Sequence, residues 1–343
     1  MSRIPLLAPD LPPLDGLLPR LEFLYKTGRA TNFGPLNVQL ESRLSEALGC
    51  FVVTTANATL ALELSLTALE LPAGSTVACP ALTFPATATA IVRAGHVPRF
   101  VDVDKDSWCA AANEFRFGGG EDSARMPVTA FGASLTADVS QPTVIDAAPA
   151  WGNQPAIKGA ITCYSLHATK GLVAGEGGAI AVHDERLAQR LRALTNFGIG
   201  TGVVGTNAKM SEYHAAVALA SLDTWPERSA KRREAAADYR KTLPASLQWQ
   251  AWDPSWTRTI FPVLLPDGAD VVRVMAHMES VGIETRRWYY PLVCDSYRFS
   301  ENRRWEVPVS RSISTRLIGL PFFTGITHSQ MERVADALRA ALG

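Results

Sequence analysis

The sequence has no excess of charge of either sign: 33 lysines and arginines stand against 33 aspartates and glutamates in 343 residues. That balance excludes the broad basic field that draws nucleic acid or an anionic membrane, so an anionic ligand must be held locally. Long apolar runs are missing as well. Nowhere do eighteen uninterrupted apolar residues occur, and no segment reads as a membrane span. Cysteine is sparse: Cys50, Cys79, Cys109, Cys163 and Cys294 are odd in number and contain no C-x-x-C pair of the kind that binds zinc or cycles electrons. Cys79 and Cys163 lie in apolar, strand-like runs and read as core thiols. The start, Met1-Ser2-Arg3-Ile4-Pro5, has no charged segment leading into an apolar one. These absences describe a reduced cytoplasmic protein, and its 47% hydrophobic content suffices for one large core or two domains.

The richest stretch is Ser165-Leu166-His167-Ala168-Thr169-Lys170, followed by Gly171-Leu172-Val173-Ala174-Gly175-Glu176-Gly177-Gly178. The run Ile161-Thr162-Cys163-Tyr164 ahead of it is β-branched and apolar, a buried strand that delivers Ser165 and Lys170 to a loop. A lysine in such a place becomes a nucleophile if its surroundings lower its pKa, because only the neutral amine attacks a carbonyl. Without a site around it, the same lysine is a solvated loop residue.

Taken in order, residues 4 to 13 carry Pro5, Pro9, Pro12 and Pro13 and form an arm too proline-rich for regular structure. Helical patterns cover Leu14 to Tyr25 and Leu36 to Leu48, the second closed by Gly49. Between them, Thr31-Asn32-Phe33-Gly34-Pro35 is a turn, serving either as a linker or as a ligand contact. Phe51-Val52-Val53 is a strand that runs through Thr54-Thr55-Ala56-Asn57-Ala58-Thr59 into a helix, Leu60 to Leu71. That junction is either an ordinary cap or an anion seat of free N–H groups. Thr76 to Pro80 is a strand, and Phe84 sits where it crosses into a helix through Val92, packed in the core or covering a flat ligand. Arg99 to Asp104, Pro127 to Phe131 and Thr143 to Ile145 read as strands, with Gly118-Gly119-Gly120-Glu121-Asp122 a flexible loop.

Asp146 falls at a strand's carboxyl end, where ligands gather in parallel α/β sheets, although an acid there also serves as a helix cap. The link from Gly132 to Gln141 is near the minimum for a parallel crossover, so its helix is short or absent. Ala179 to Val182 is a strand and Glu185 to Leu194 a helix. Ser211 and Glu212 open a helix over Tyr213 to Leu222; that capping leaves Asn207 unexplained. From about residue 225 the pattern becomes α+β: helices Arg228 to Leu243, Asp270 to Val281 and Thr327 to Leu342, with strands Thr259 to Leu265 and Ile283 to Tyr290. The domains expected are 1–224, including an arm over 1–30, and 225–343.

The ordered set Thr31-Asn32-Phe33-Gly34-Pro35, Asn57-Ala58-Thr59, Pro80-Ala81-Leu82-Thr83-Phe84, Asp146-Ala147-Ala148, Ser165 to Lys170, Gly175-Glu176-Gly177-Gly178 and Thr206 to Glu212 resembles the sugar aminotransferases of the DegT/DnrJ/StrS family. Gly282-Ile283-Glu284-Thr285-Arg286 and Leu320-Pro321 extend the resemblance over nearly the whole chain. It implies an α/β fold-type I scaffold: a large domain with a mainly parallel, mixed sheet flanked by helices, and a smaller C-terminal α+β domain. It also implies pyridoxal 5′-phosphate (PLP), held by Lys170 as an internal aldimine, with Lys170 then moving the proton. Asp146 would keep the pyridine nitrogen protonated and Phe84 would stack on the ring. Backbone N–H groups of Ala58 and Thr59 and the Ser165 hydroxyl would take the phosphate, and Asn207 would reach the cofactor of a neighbouring subunit in a homodimer. Asn32, Arg286 and Tyr290 are the substrate candidates. No metal and no nucleic acid are implied.

The expected reaction moves an amino group from an L-amino acid, L-glutamate first, to a keto sugar carried on a nucleotide. Pro149 stands where the family has Gln or His after Asp-Ala-Ala, and proline offers no side-chain hydrogen bond. Ala58, Leu166 and Lys209 replace the usual glycine, phenylalanine and arginine. These departures keep open a ketocyclitol or other unusual ketone as acceptor, and a non-catalytic PLP-fold protein is the reading from another class.

Overall fold

Residues 3–110, 115, 122–296 and 305–343 are described by the computed structural model. The expected glycine loop at 118–121 lies outside them.

Strands β1 (Phe51–Thr55), β6 (Ile161–Ser165) and β7 (Gly178–Val182) are built from β-branched and small apolar residues, and each is buried on both faces except at Phe51. Alternation along β7 divides its side chains: Ile180 and Val182 enter one hydrophobic core, Ala179 and Ala181 the other. The sheet runs β1-β7-β6-β5, with β5 (Val144–Asp146) parallel to β6, and β7 antiparallel to both its neighbours. A parallel set β3-β2-β4 (Val97–Val101, Thr76–Pro80, Ala124–Arg125) continues it through the bridges Arg125–Thr143 and Val128–Asp146. The result is a mixed sheet with helices on both sides, as expected. On one face α3 (Ala58–Ala68) packs against β5, β6 and β7. Its fully buried Leu62 and Leu66 each contribute about 2 kcal/mol of burial. On the other, α2 (Pro35–Leu48) and α6 (Glu212–Asp223) close the core that takes Ala179 and Ala181.

A third core gathers Tyr239 from α7 (Trp225–Thr242), Phe261 and Val263 from β8 (Phe261–Leu264), Ile318 and Leu320 from β10 (Leu317–Leu320), and Leu338 from α10 (His328–Leu342). Its sheet is antiparallel, β8-β10-β9, with β9 (Arg286–Arg287) at the edge. Ile4 of the amino-terminal arm is buried in this core.

Two expected strands are formed only in part. Pro127 to Phe131 makes a single bridge at Val128, then a 3-10 turn over Ala130–Gly132 in which Phe131 has φ 54°. Left-handed backbone at Phe131 is incompatible with a strand. The run Ile283 to Tyr290 makes a lone bridge from Ile283 to Ile4 and pairs with β10 only at Arg286–Arg287, opposite Ile318 and Gly319. The trimmed link from Gly132 to Gln141 contains no helix beyond the end of that 3-10 turn. Helix α9 (Pro308–Arg316) and strand β10 had no reading from the sequence pattern.

Candidate active site

The carboxyl ends of the parallel strands β5 and β6 carry Asp146 and Ser165, and the loop after β6 carries Lys170. All three line one cavity of about 380 Å³. Ala58 and Thr59, at the start of α3, and Phe84, the residue before α4 (Pro85–Arg93), share it. Six sequence-predicted residues therefore meet in one place.

The loop is held from several sides. Leu166 donates its N–H to the Gly177 carbonyl and Ala168 to that of Gly175, at 2.9 and 2.8 Å. Arg228 Nη1 donates to the Gly171 carbonyl at 3.1 Å. A Cβ on Gly171 would come within 2.8 Å of the Trp225 ring, so glycine is required there for space. The loop thus presents Lys170 from a fixed backbone. Burial lowers the Lys170 ammonium pKa, and the Asp146 charge opposes that shift only in part.

Asp146 is 4% exposed. Its Oδ2 accepts the Thr87 hydroxyl at 2.7 Å, and its Oδ1 accepts the Ala148 N–H at 3.1 Å. Burial pushes its carboxyl pKa up; Thr87, Ala148 and then the Lys170 charge offset this in part. Thr83 lies 2.8 Å from Thr87 and completes a chain of hydroxyls behind the acid.

At the start of α3, Asn57 Oδ1 accepts the Leu60 N–H at 2.9 Å. The first-turn N–H groups of Ala58 and Thr59 have no partner within a helix and open on the cavity with the positive dipole end. Close approach of β7 makes this possible: a Cβ on Gly178 would lie 2.7 Å from the Asn57 carbonyl carbon.

Other expected residues fall elsewhere. Arg286 lines the cavity, but Tyr290 does not; its neighbour Tyr289 does. A strand continuing to Tyr290 would have put Arg286, Trp288 and Tyr290 on one face. Because pairing ends at Arg287, Trp288 and Tyr289 both enter the cavity instead, and Tyr290 lies under the Arg287 guanidinium at 3.5 Å. Asn32 and Asn207 are exposed and outside the cavity of their own chain. Pro149 is in the wall.

Reasoning from sequence missed Thr87, Tyr289 and Leu7. Thr87 is one threonine among several in an ordinary helix pattern, with no signal of its own. Tyr289 stacks on Phe131, ring centres 5.4 Å apart, and that neighbour is visible only in the fold.

These groups fit PLP. A half-buried amine with a lowered pKa suits an aldehyde, a buried acid a pyridine nitrogen, and a helix start beside a serine hydroxyl a phosphate. Among the described residues no cluster of His, Cys, Asp and Glu suited to a metal occurs, and no helix is long and apolar enough to cross a membrane.

The chain is 28% identical over 357 residues to a dTDP-4-amino-4,6-dideoxy-D-glucose transaminase of Shigella dysenteriae, covering 96% of this chain and 97% of the relative. It is 28% identical over 366 residues to the protein of the same name from Escherichia coli, covering 98% of each. Among solved structures, that of DesI in the presence of its TDP-sugar product superposes with a TM-score of 0.92 at 29% identity, covering 100% of this chain and 94% of that one. Residues 17–339 match the DegT/DnrJ/EryC1/StrS aminotransferase family, and with that match over nearly its full length the chain belongs to the family.

Proposed function

We propose that this PLP-dependent aminotransferase transfers an amino group from an L-amino acid, L-glutamate first, to a nucleotide-linked keto-deoxyhexose. The observation that carries the reading is the pairing of Lys170 and Asp146 in one buried cavity, the amine shifted toward neutrality and the acid shielded behind Thr87. PLP supplies the electron sink that lets a proton leave the carbon bearing the amine. The protein's part is to hold the parts in place. Asp146 would pair with the ring nitrogen, Phe84 would cover the ring, and Ala58, Thr59 and Ser165 would take the phosphate. Lys170 would carry the proton between substrate carbon and cofactor.

Arg286 is suited to an anionic part of the substrate. Asn32 and Tyr290 lie outside the cavity of their own chain, so a substrate role for either belongs to a site completed by a second subunit. The same holds for Asn207, and we propose a homodimer in which Asn207 reaches the partner's cofactor phosphate. In each subunit a large domain, 1–224, would carry the cofactor, and a smaller one, 225–343, would close over it. A cytoplasmic location accords with the five free cysteines.

A second acceptor is favoured by two features of this chain. Pro149 gives the cavity wall no side-chain hydrogen bond, and the link from Gly132 to Gln141 carries no crossover helix. Both suit a ketocyclitol or another unusual ketone.

Purified protein should be yellow, with a visible band that shifts on adding L-glutamate. Single turnover against nucleotide-linked keto sugars and ketocyclitols then identifies the acceptor. A colourless protein that takes up no PLP would overturn the catalytic reading, and a coloured one indifferent to every amino donor would favour a non-catalytic role.

A further inference from the structure

The amino-terminal arm is proline-rich, yet it is stitched down along its length. Ile4 donates its N–H to the Gly282 carbonyl at 2.9 Å and accepts that of Glu284 at 3.0 Å. Leu6 donates its N–H to Glu284 Oε2 at 2.9 Å, and its carbonyl accepts the Phe322 N–H at 2.9 Å. Four residues on, Asp10 Oδ2 accepts the Thr324 hydroxyl at 2.7 Å and Arg228 Nη1 at 3.1 Å, with Arg232 at 3.5 Å. Arg228 in turn donates to the carbonyl of Gly171, next to Lys170. The arm is therefore tied at Leu6 to the segment that leads to Arg286, and at Asp10 to the helix that braces the lysine loop.

Between these anchors lie only Leu7, Ala8 and Pro9, and Pro9 restricts that span further. Leu7 lines the cavity. Cofactor-suited polar groups come from the ends of β5 and β6 and the start of α3. Leu7 lines it together with Ile260, Arg286 and Trp288, residues that lie outside those elements. An aliphatic side chain held at both flanks forms a rigid apolar wall.

We propose that the arm forms one wall of the acceptor part of the cavity and that Leu7 limits the size of the ketone substrate and packs against its apolar face. The inference rests on the aminotransferase reading above. It assigns Leu7 to substrate contact, and Asp10 and Glu284 to positioning it.

The test uses full-length, PLP-loaded enzyme and a dTDP-linked 4-amino-4,6-dideoxyglucose as probe. Binding is measured by calorimetry, and kcat and KM separately for L-glutamate and for the matching keto sugar. Leu7→Trp should weaken probe binding and raise the keto-sugar KM about tenfold or more, and Leu7→Ala should weaken binding about fivefold. Leu7→Met should stay within about threefold of wild type, since it conserves volume. The glutamate half-reaction should change less than about twofold in all three, because the donor is small and meets the cofactor first. Equal probe affinity in wild type and Leu7→Trp would overturn the inference. So would parallel loss of the donor and acceptor steps, which marks a structural role. Wild-type enzyme that binds PLP and reacts with glutamate but ignores the probe and every nucleotide-linked keto sugar would overturn the sugar reading and this inference with it, a result distinct from either of the others.

Discussion

The Thr87 hydroxyl donates to Asp146 Oδ2 at 2.7 Å, and that contact is the leading influence keeping the buried acid's pKa from rising further. Thr87→Val keeps the side chain's shape and removes the donor to Asp146 together with the hydroxyl that Thr83 meets. Asp146 should then hold its proton to higher pH, and a neutral acid cannot pair with a protonated pyridine nitrogen. PLP affinity should fall about tenfold, as expected for loss of one buried hydrogen bond to a charged group. The loss should be larger at pH 6 than at pH 8. Titration of apoprotein with PLP, followed in the visible band, checks this; equal affinity at both pH values would remove Thr87 from the account.

Asp10 joins the arm to α7. Burial pushes its carboxyl pKa up, but the Thr324 hydroxyl and then Arg228 and Arg232 outweigh that and leave it below the usual range. A lowered native pKa means stability that is fully present above the unfolded value, about 3.9, and lost as pH falls through the native one. Asp10→Asn should therefore cost about 2 kcal/mol at pH 7, largely by leaving two buried guanidinium groups without their counter-charge. The gap to wild type should narrow as the pH is taken below 4. Urea unfolding at pH 7, 5 and 3.5 measures it, and a gap that stayed constant with pH would show that packing rather than charge holds the arm.

Glu212 caps a helix other than its own. Its carboxylate accepts the N–H groups of Leu36 and Asn37, at 2.7 and 2.9 Å, at the start of α2. Gly34 makes room for it, since a Cβ there would lie 2.6 Å from Glu212 Cδ. Glu212→Ala should destabilise by about 1–3 kcal/mol, because two buried donors lose their acceptor. Gly34→Ala should cost a comparable amount through the clash alone, for Gly34 has an ordinary φ of −71°. If the double variant were no worse than either single one, the two residues act as one unit, which thermal unfolding of all three would show.

That pair also explains what the sequence could and could not tell. Elements with a clear period, such as α2, α3, β6 and β7, were legible because their side-chain alternation is dictated by which face is buried. Lys170, Asp146 and the start of α3 were legible because the chemistry of each needs a strand end or a helix end, and both leave marks in sequence. Gly34 and Glu212 belonged to the motifs of the resemblance, but their contact spans 178 positions of chain and carries no local signal. Failure at Pro127–Phe131 and Ile283–Tyr290 has a common cause. Both runs hold several β-branched or aromatic residues, but strand formation needs a partner to pair with along its length, and neither has one. Tyr289 and Leu7 were missed for the same reason, since each enters the cavity from a segment whose course is set by distant anchors.

The loop from Asn196 to Gly205 carries three apolar side chains outward: Phe197, Ile199 and Val204 are 57%, 67% and 89% exposed. Asn207 pairs with Asn196 at the base of this loop. Arg192, at the end of the helix before the loop, lies over the Phe33 ring at 5.2 Å, which places the Thr31–Pro35 turn beside it. Apolar surface of this extent beside two polar residues that miss their own cavity is what an interface between copies would bury. Val204→Asp is accessible enough to leave the fold of one chain intact, while a charge there opposes burial. Light scattering should therefore report half the wild-type mass, and PLP affinity should fall about tenfold as the partner's Asn207 is lost from each site. Asn207→Ala should give the second effect without the first. A Val204→Asp protein of unchanged mass would move the interface elsewhere on the surface, and an Asn207→Ala protein with undiminished PLP affinity would end the case for a shared site.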